Sequence, residues 1–321
     1  MTQQAHRLVM VIATGLTFQG FSQTCCSGGV PLTNNIGGLP ISVKGTWQFS
    51  LGSDLNVLKT LKSGSEVLTD DSRERTTLSI LGKTSYAFSD KLFIESLLSW
   101  VRQERSITQF GGFTDLDVTR GVGDAVVMIN YQYVRLNKLN LIGGVGPKIP
   151  TGASDVKDDN GLTLNADLQP GSGAWDMVFF HRVQAVNSNR PSQNYFLNAT
   201  YRLTGTNSNY LGSLDYRFGN EWQVISGVAD QFVIGSTLIS TGLNIRFRNV
   251  RQDQIDKEPL PNTGGRWIFV MPAIGWHINP HWIVNLSTEV PLAGYVDGTQ
   301  LSPSIRISGG VFYSIQKTKE Q

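Results

Sequence analysis

Apolar and polar residues alternate along much of the chain beyond Pro31. In 237–250, Ile239, Leu243, Ile245 and Phe247 point one way, and Ser240, Asn244, Arg246 and Arg248 the other. In 195–204, Tyr195, Leu197, Ala199, Tyr201 and Leu203 oppose Asn198, Thr200, Arg202 and Thr204. The stretches 282–289 (Trp282, Val284 and Leu286 against Asn285, Ser287 and Glu289) and 304–313 (Ile305, Ile307, Val311 and Tyr313 against Ser304, Arg306 and Ser308) repeat the pattern. A period of two is that of an extended strand, whose successive side chains face opposite sides. Each strand therefore meets one apolar and one polar environment.

A soluble sandwich buries the apolar face, whereas a membrane barrel turns it to lipid and keeps the polar face in the lumen. Several runs reach 10–15 residues, where globular strands average about 5–6 and a tilted strand crosses a bilayer in about 9–11. Strands are predicted at 41–51, 75–88, 91–102, 121–136, 139–149, 174–187, 193–204, 220–233, 237–250, 266–278, 281–290 and 303–314. The links between them alternate. Short ones fall at 89–90, 137–138, 187–192, 234–236 and 279–280, and long ones at 52–74, 103–120, 150–173, 205–219, 251–265 and 291–302. This is the order of an antiparallel up-and-down transmembrane β-barrel of about 12 strands, with short periplasmic turns and long external loops. Residues 207–218 also read as strand. Because bacterial single-chain barrels have even strand numbers, they are assigned to an external loop or a strand extension.

The tryptophans fit two interfacial girdles. Trp100, Trp175, Trp222 and Trp267 fall at strand ends beside long links, and Trp276 and Trp282 flank the short link at 279–280.

Composition agrees: 34 glycines, 15 Phe, 9 Tyr and 7 Trp accompany only 16% charged residues in 321. The 27 basic and 25 acidic residues are interspersed, unlike the one-sided basic footprint of a nucleic-acid binder. Residues 1–22 read as a signal peptide: Arg7 is followed by a mostly apolar 8–18 and a small-x-small site at Gly20, Phe21 and Ser22. Residues 23–40 then form an N-terminal periplasmic segment, 41–314 the barrel and 315–321 a polar tail. Cys25 and Cys26 are adjacent, and Cα atoms about 3.8 Å apart are too close for ordinary disulfide geometry. Free thiols, bonds to other partners and half of a metal site remain open, with a lipid anchor a minor alternative.

Several stretches carry a resemblance. They are Gly121-Val-Gly-Asp124 leading into 125–133, Leu168-Gln-Pro-Gly-Ser-Gly-Ala-Trp-Asp176, and Tyr216-Arg-Phe-Gly219. Tyr86-Ala-Phe-Ser-Asp90 and Gly298-Thr-Gln-Leu301 complete the set, which runs in order from about Thr76 to Tyr313. Together they resemble an outer-membrane transporter family named for its association with the meta-cleavage pathway of phenol degradation. The resemblance implies a bacterial outer-membrane barrel that moves small, hydrophobic or aromatic molecules. Barrels of this kind commonly finish on an aromatic residue read during assembly. Here Phe312 and Tyr313 are followed by a polar tail, so either the signal is read internally or assembly differs.

For the motif residues a structural role is expected. Gly121 and Gly123 permit a tight turn with Asp124 bonding backbone amides, and Gly171 and Gly173 close a long loop before Trp175 and Asp176. The lumen-lining candidates are Arg202, Arg246, Arg248 and Arg306, with Glu95, Asp230 and Glu289 opposite them. Opposed charges either line a passage or pair and plug it. His181, His277 and His281 form no recognisable catalytic or zinc set, so no enzyme activity, metal or cofactor is expected. The expected partners are outer-membrane lipid, a small-molecule solute and the outer-membrane assembly machinery, with no nucleic acid. Two functions follow: a channel or transporter for small solutes, or a structural or surface-interaction barrel acting through its external loops.

Overall fold

The computed structural model describes residues 43–109 and 111–315. The expected signal peptide, the 23–40 segment, Cys25 and Cys26, and 316–321 of the tail lie outside the described residues.

The chain forms β1 (Trp47–Gly64), β2 (Glu66–Val67), β3 (Arg73–Ala87), β4 (Leu92–Thr108), β5 (Thr114–Val122), β6 (Ala125–Arg135), β7 (Leu139–Ile149), β8 (Asp176–Val186) and β9 (Asn194–Leu203). There follow β10 (Asn207–Tyr210), β11 (Leu214–Arg217), β12 (Glu221–Ile234), β13 (Thr237–Val250), β14 (Gln254–Ile255), β15 (Glu258–Pro259), β16 (Gly265–His277) and β17 (Trp282–Ile315). One sheet runs β1-β3-β4-β6-β7-β8-β9-β12-β13-β16-β17, every pair antiparallel, and β17 pairs back with β1. The barrel is closed. Closure leaves no unpaired edge, which is what allows strands to sit in lipid.

Eleven strands form this ring and two more, β2 and β5, extend it, in place of the twelve expected. The difference lies at the C-terminal end. β17 is continuous over 34 residues, yet its residues 283–296 pair with β16 and its residues 296–315 with β1. Its two ends lie side by side: the Trp282 and Tyr313 rings are 4.5 Å apart, and the Ser314 amide donates to the His281 carbonyl at 3.0 Å. Gly298, at φ 78°, occupies the left-handed region between the two parts.

Half of the expected long loops are strand. β1 continues to Gly64, β4 and β5 pair out to Thr108 and Thr114, and β17 spans 291–302. The loops that remain are 150–175, 204–220 and 251–264. Residues 207–218 stay outside the ring, as β10 and β11 of a small separate sheet ordered β10-β11-β14-β15.

Polarity is inverted relative to a soluble protein. On β13, Leu243, Ile245 and Phe247 are 55%, 52% and 39% exposed on the outer face, while Asn244, Arg246 and Arg248 are 6%, 2% and 5% exposed inside. Fourteen residues in β13, at about 3.3 Å each and tilted about 40°, reach about 35 Å, enough to cross the hydrocarbon layer.

Candidate functional site

Parity along each strand decides what enters the lumen. Arg202 on β9, Arg246 and Arg248 on β13, Glu95 on β4, and Glu289 and Arg306 on β17 face inward. Asp230 does not. It shares the outer face of β12 with Trp222 and accepts hydrogen bonds near the turn, from Ser192 Oγ at 2.8 Å and in an ion pair with Arg190 at 2.8 Å. Asp54 and Glu221, which the sequence reading passed over, are inward partners instead.

The inward charges pair. Arg248 Nε donates to Glu221 at 2.8 Å, and Arg202 approaches the other oxygen of Glu221 at 3.2 Å. Arg246 bonds Glu289, and Arg306 donates to Asp54 at 2.7 Å. Lys83 meets Glu95 at 2.6 Å. Desolvating an isolated charge is expensive, so a carboxylate close by stabilises each of these buried cations.

Trp267 is a further correction. It lies inside the barrel, 1% exposed, with its indole N–H donated to Ser302 Oγ at 2.9 Å and the Arg248 guanidinium 5.5 Å from its ring centre. Trp100, Trp175, Trp222, Trp276 and Trp282 are exposed on the outer face. Trp222 packs on Tyr201 at 4.5 Å, and at the opposite end Trp47 packs on Tyr86 at 4.5 Å.

The two glycine–aspartate motifs meet at one lysine. Residues 123–124 are a bulge between β5 and β6. Odd positions face inward before it (Thr119) and even positions after it (Val126, Met128), while Gly123 N–H still donates to the Ser99 carbonyl at 2.8 Å. Asp124 accepts from Lys148 Nζ at 2.5 Å, from the Ser172 amide at 3.0 Å and from the Gly152 amide at 3.2 Å. Lys148 also pairs with Asp176 at 3.2 Å. Gly171 and Gly152 touch backbone to backbone, leaving no room for a Cβ on either, and Gly173 has φ 69°. The motif glycines and aspartates thus clamp the start and end of loop 150–175 to the wall. Their backbone role was legible; Lys148 was not, because nothing in the linear spacing marks it.

That loop folds into the mouth. Its single 3-10 turn, Ala166–Leu168, is buried. Asp167 pairs with Arg75 of β3 at 2.5 Å, and Arg75 also donates to Gln103 at 2.6 Å. Gln103 Nε2 and Thr119 Oγ1 donate to the carbonyls of Gln169 and Leu168, the former at 3.0 Å. Over it sits a cap in which Tyr210, Tyr216 and Phe218 pack on Ala166, with Leu214, Ile255 and Leu260 at the margin. Asp253, fully buried in this cap, accepts from the Tyr216 hydroxyl at 2.6 Å and the Gly219 amide at 2.7 Å. Burial pushes the Asp253 carboxyl up to about 7, against the lowering effect of those two bonds, and raises the Tyr216 phenol well above its usual value.

The closed antiparallel barrel matches a known fold. The crystal structure of an outer membrane channel from Pseudomonas putida F1 superposes with a TM-score of 0.66 at 15% identity, over 88% of this chain and 98% of that one. The fold is shared. The translocator domain of the autotransporter NalP from Neisseria meningitidis gives 0.48 at 10% identity, over 86% of this chain and 91% of that one. The β domain of the Bordetella autotransporter BrkA gives 0.47 at 10%, over 85% and 100%. No protein-family model and no curated protein matches the chain.

Proposed function

We propose that the protein is a bacterial outer-membrane channel or transporter for small solutes, hydrophobic or aromatic molecules among them. The inverted polarity carries this reading. A belt of exposed Leu, Ile, Val and Phe around a ring of paired charges is far larger than the apolar patches of about 300–600 Å² that soluble proteins tolerate. Outer-membrane lipid and the barrel-assembly machinery are then its partners. The Pseudomonas putida protein of the same fold is described as an outer membrane channel. The link to phenol degradation rests on the motif resemblance. In this reading the two parts of β17 are two separate crossings and β5 with β6 one interrupted crossing, which makes twelve. No catalysis is proposed: Ser240 Oγ lies 2.6 Å from His277 Nε2, but among the described residues no carboxylate orients that histidine.

Purified protein in a planar bilayer is expected to give discrete conductance steps. The same protein should fractionate with outer membranes and migrate faster on gels when unboiled. Recovery in a soluble fraction without a heat-dependent band would overturn the reading. Absent conductance, with binding lost only on loop deletion, would favour a surface-interaction barrel.

A further inference from the structure

Among the described residues on the inner faces of the strands, Arg182 is the one basic side chain for which neither an ion pair nor a hydrogen bond is formed. Lys83, Lys148, Arg75, Arg202, Arg246, Arg248 and Arg306 each have a carboxylate. Arg182 stands on β8, on the same face as Val178 and Phe180, with Ile142 opposite it on β7 and Asn198 opposite it on β9. Its Nε is buried without a partner, as is the Asn198 Oδ1 beside it. The guanidinium carbon lies 5.8 Å from the centre of the Phe196 ring.

Its surroundings define the ligand it suits. Apolar side chains line part of this side of the lumen: Phe180 and Leu97 pack on Val126, Met128 and Val178, and Ile142 packs on Ala87 and Phe93. The carboxylate whose charge reaches Arg182, Glu95, already accepts from Lys83, Ser85 and Asn130 at 2.6, 3.3 and 3.1 Å. A guanidinium fork matches one carboxylate, and the aromatic and aliphatic wall matches an apolar ring. The negative charge of Glu95 disfavours a dianion such as phosphate.

We propose that Arg182 is the carboxylate-binding group of a lumenal subsite for small aromatic monocarboxylates. This deepens the channel reading and rests on it for the solute's route. Benzoate is the probe, added to full-length protein in detergent and followed by titration calorimetry, with benzamide as the uncharged control. Benzoate binding is expected to weaken at least tenfold in R182Q and by less in R182K, which keeps the charge but not the fork. Benzamide should bind weakly and equally to all three. Should R182Q fail to give the heat-modifiable band, I142E, which sets a carboxylate beside the guanidinium, is expected to weaken benzoate as strongly. Equal benzoate affinity in wild type and variant overturns the subsite, as does complete displacement by an equal concentration of chloride. Bilayer conductance in potassium chloride, recorded on the same samples, separates the two ideas. Conductance with Arg182-independent benzoate binding sinks the subsite alone, and Arg182-dependent binding without conductance sinks the channel alone.

Discussion

Asp253 is a carboxyl without a basic partner in the cap, and its pH behaviour follows from that placement. Tyr216 and the Gly219 amide bond it, Asp167 adds repulsion and Arg202 a weaker attraction. With the folded value near 7 and an unfolded value of about 3.9, the folded cap prefers the protonated acid. Its stabilising contribution is complete below the unfolded value and is lost as pH rises through about 7. The swing is on the order of a few kcal/mol. Once the intrinsic base catalysis of exchange is divided out, the protection of amides in 251–264 should fall between about pH 4 and pH 7 in wild type and stay flat in D253N; identical corrected profiles would refute this. Trp267 shows why some residues were illegible. Along 266–272 both faces are largely apolar (Trp267, Phe269 and Met271 inside; Ile268 and Val270 outside), so alternation cannot say which way the indole points.

The buried 3-10 turn of loop 150–175 is held to the wall by one ion pair, Asp167–Arg75, and by the Gln103 and Thr119 side chains that donate to its carbonyls. Removing one partner of a buried pair costs about 3–5 kcal/mol, because the other charge is left behind. D167A removes the carboxylate that faces Arg75 and loosens the 3-10 turn in the mouth, while the strands keep their own ladder. Single-channel conductance is expected to rise at least twofold with the heat-modifiable band unchanged; unaltered conductance would show that this loop does not limit passage. Gly146 is the opposite case, an element held by the absence of a side chain. A Cβ there would collide with the Val127 carbonyl, at a place where β6 and β7 lose their regular pairing. G146V should cut the folded, heat-modifiable fraction several-fold, and a normal yield would contradict the packing argument.

At this scale the sequence was most informative where alternation was clean: β7 and β13 match the predicted strands residue for residue, and β8, β9, β12 and β16 fall within two residues of theirs. It failed where strands leave the membrane. Beyond Arg102 the outer positions of β4 (Glu104, Ser106 and Thr108) turn polar, and in β1 the register shifts around Leu58 break the alternation, although the ladder continues to Thr108 and Gly64. The bulge at 123–124 also reverses parity inside one predicted strand, which no fixed period can register. The pairs Arg75–Asp167 and Lys148–Asp124 join residues 92 and 24 positions apart. Loop folding brings the first pair together, and the β6–β7 register the second.

For the whole molecule, membrane orientation and the number of crossings are one question, and the turn at Asp297-Gly298 decides it. The links at 88–91, 136–138, 187–193, 235–236 and 278–281 lie at the same end of the ring as Trp47 and Ile315, and the three long loops lie at the other. If the two parts of β17 are separate crossings, Asp297 shares the long-loop end with Asn262, and the backbone contacts agree: the Asp297 amide donates to the Gly264 carbonyl at 3.4 Å, and Asn262 Oδ1 accepts from the Thr299 amide at 2.8 Å. Asn279, in the turn before β17, then lies across the membrane. Single cysteines placed by D297C and N279C, in a background carrying C25S and C26S, make this measurable in intact cells with a membrane-impermeant maleimide. D297C is expected to label in whole cells, and N279C only after the outer membrane is permeabilised. Labelling of both from outside, or of N279C alone, would reverse or abolish the inferred orientation, and with it the assignment of loop 150–175 to the external mouth.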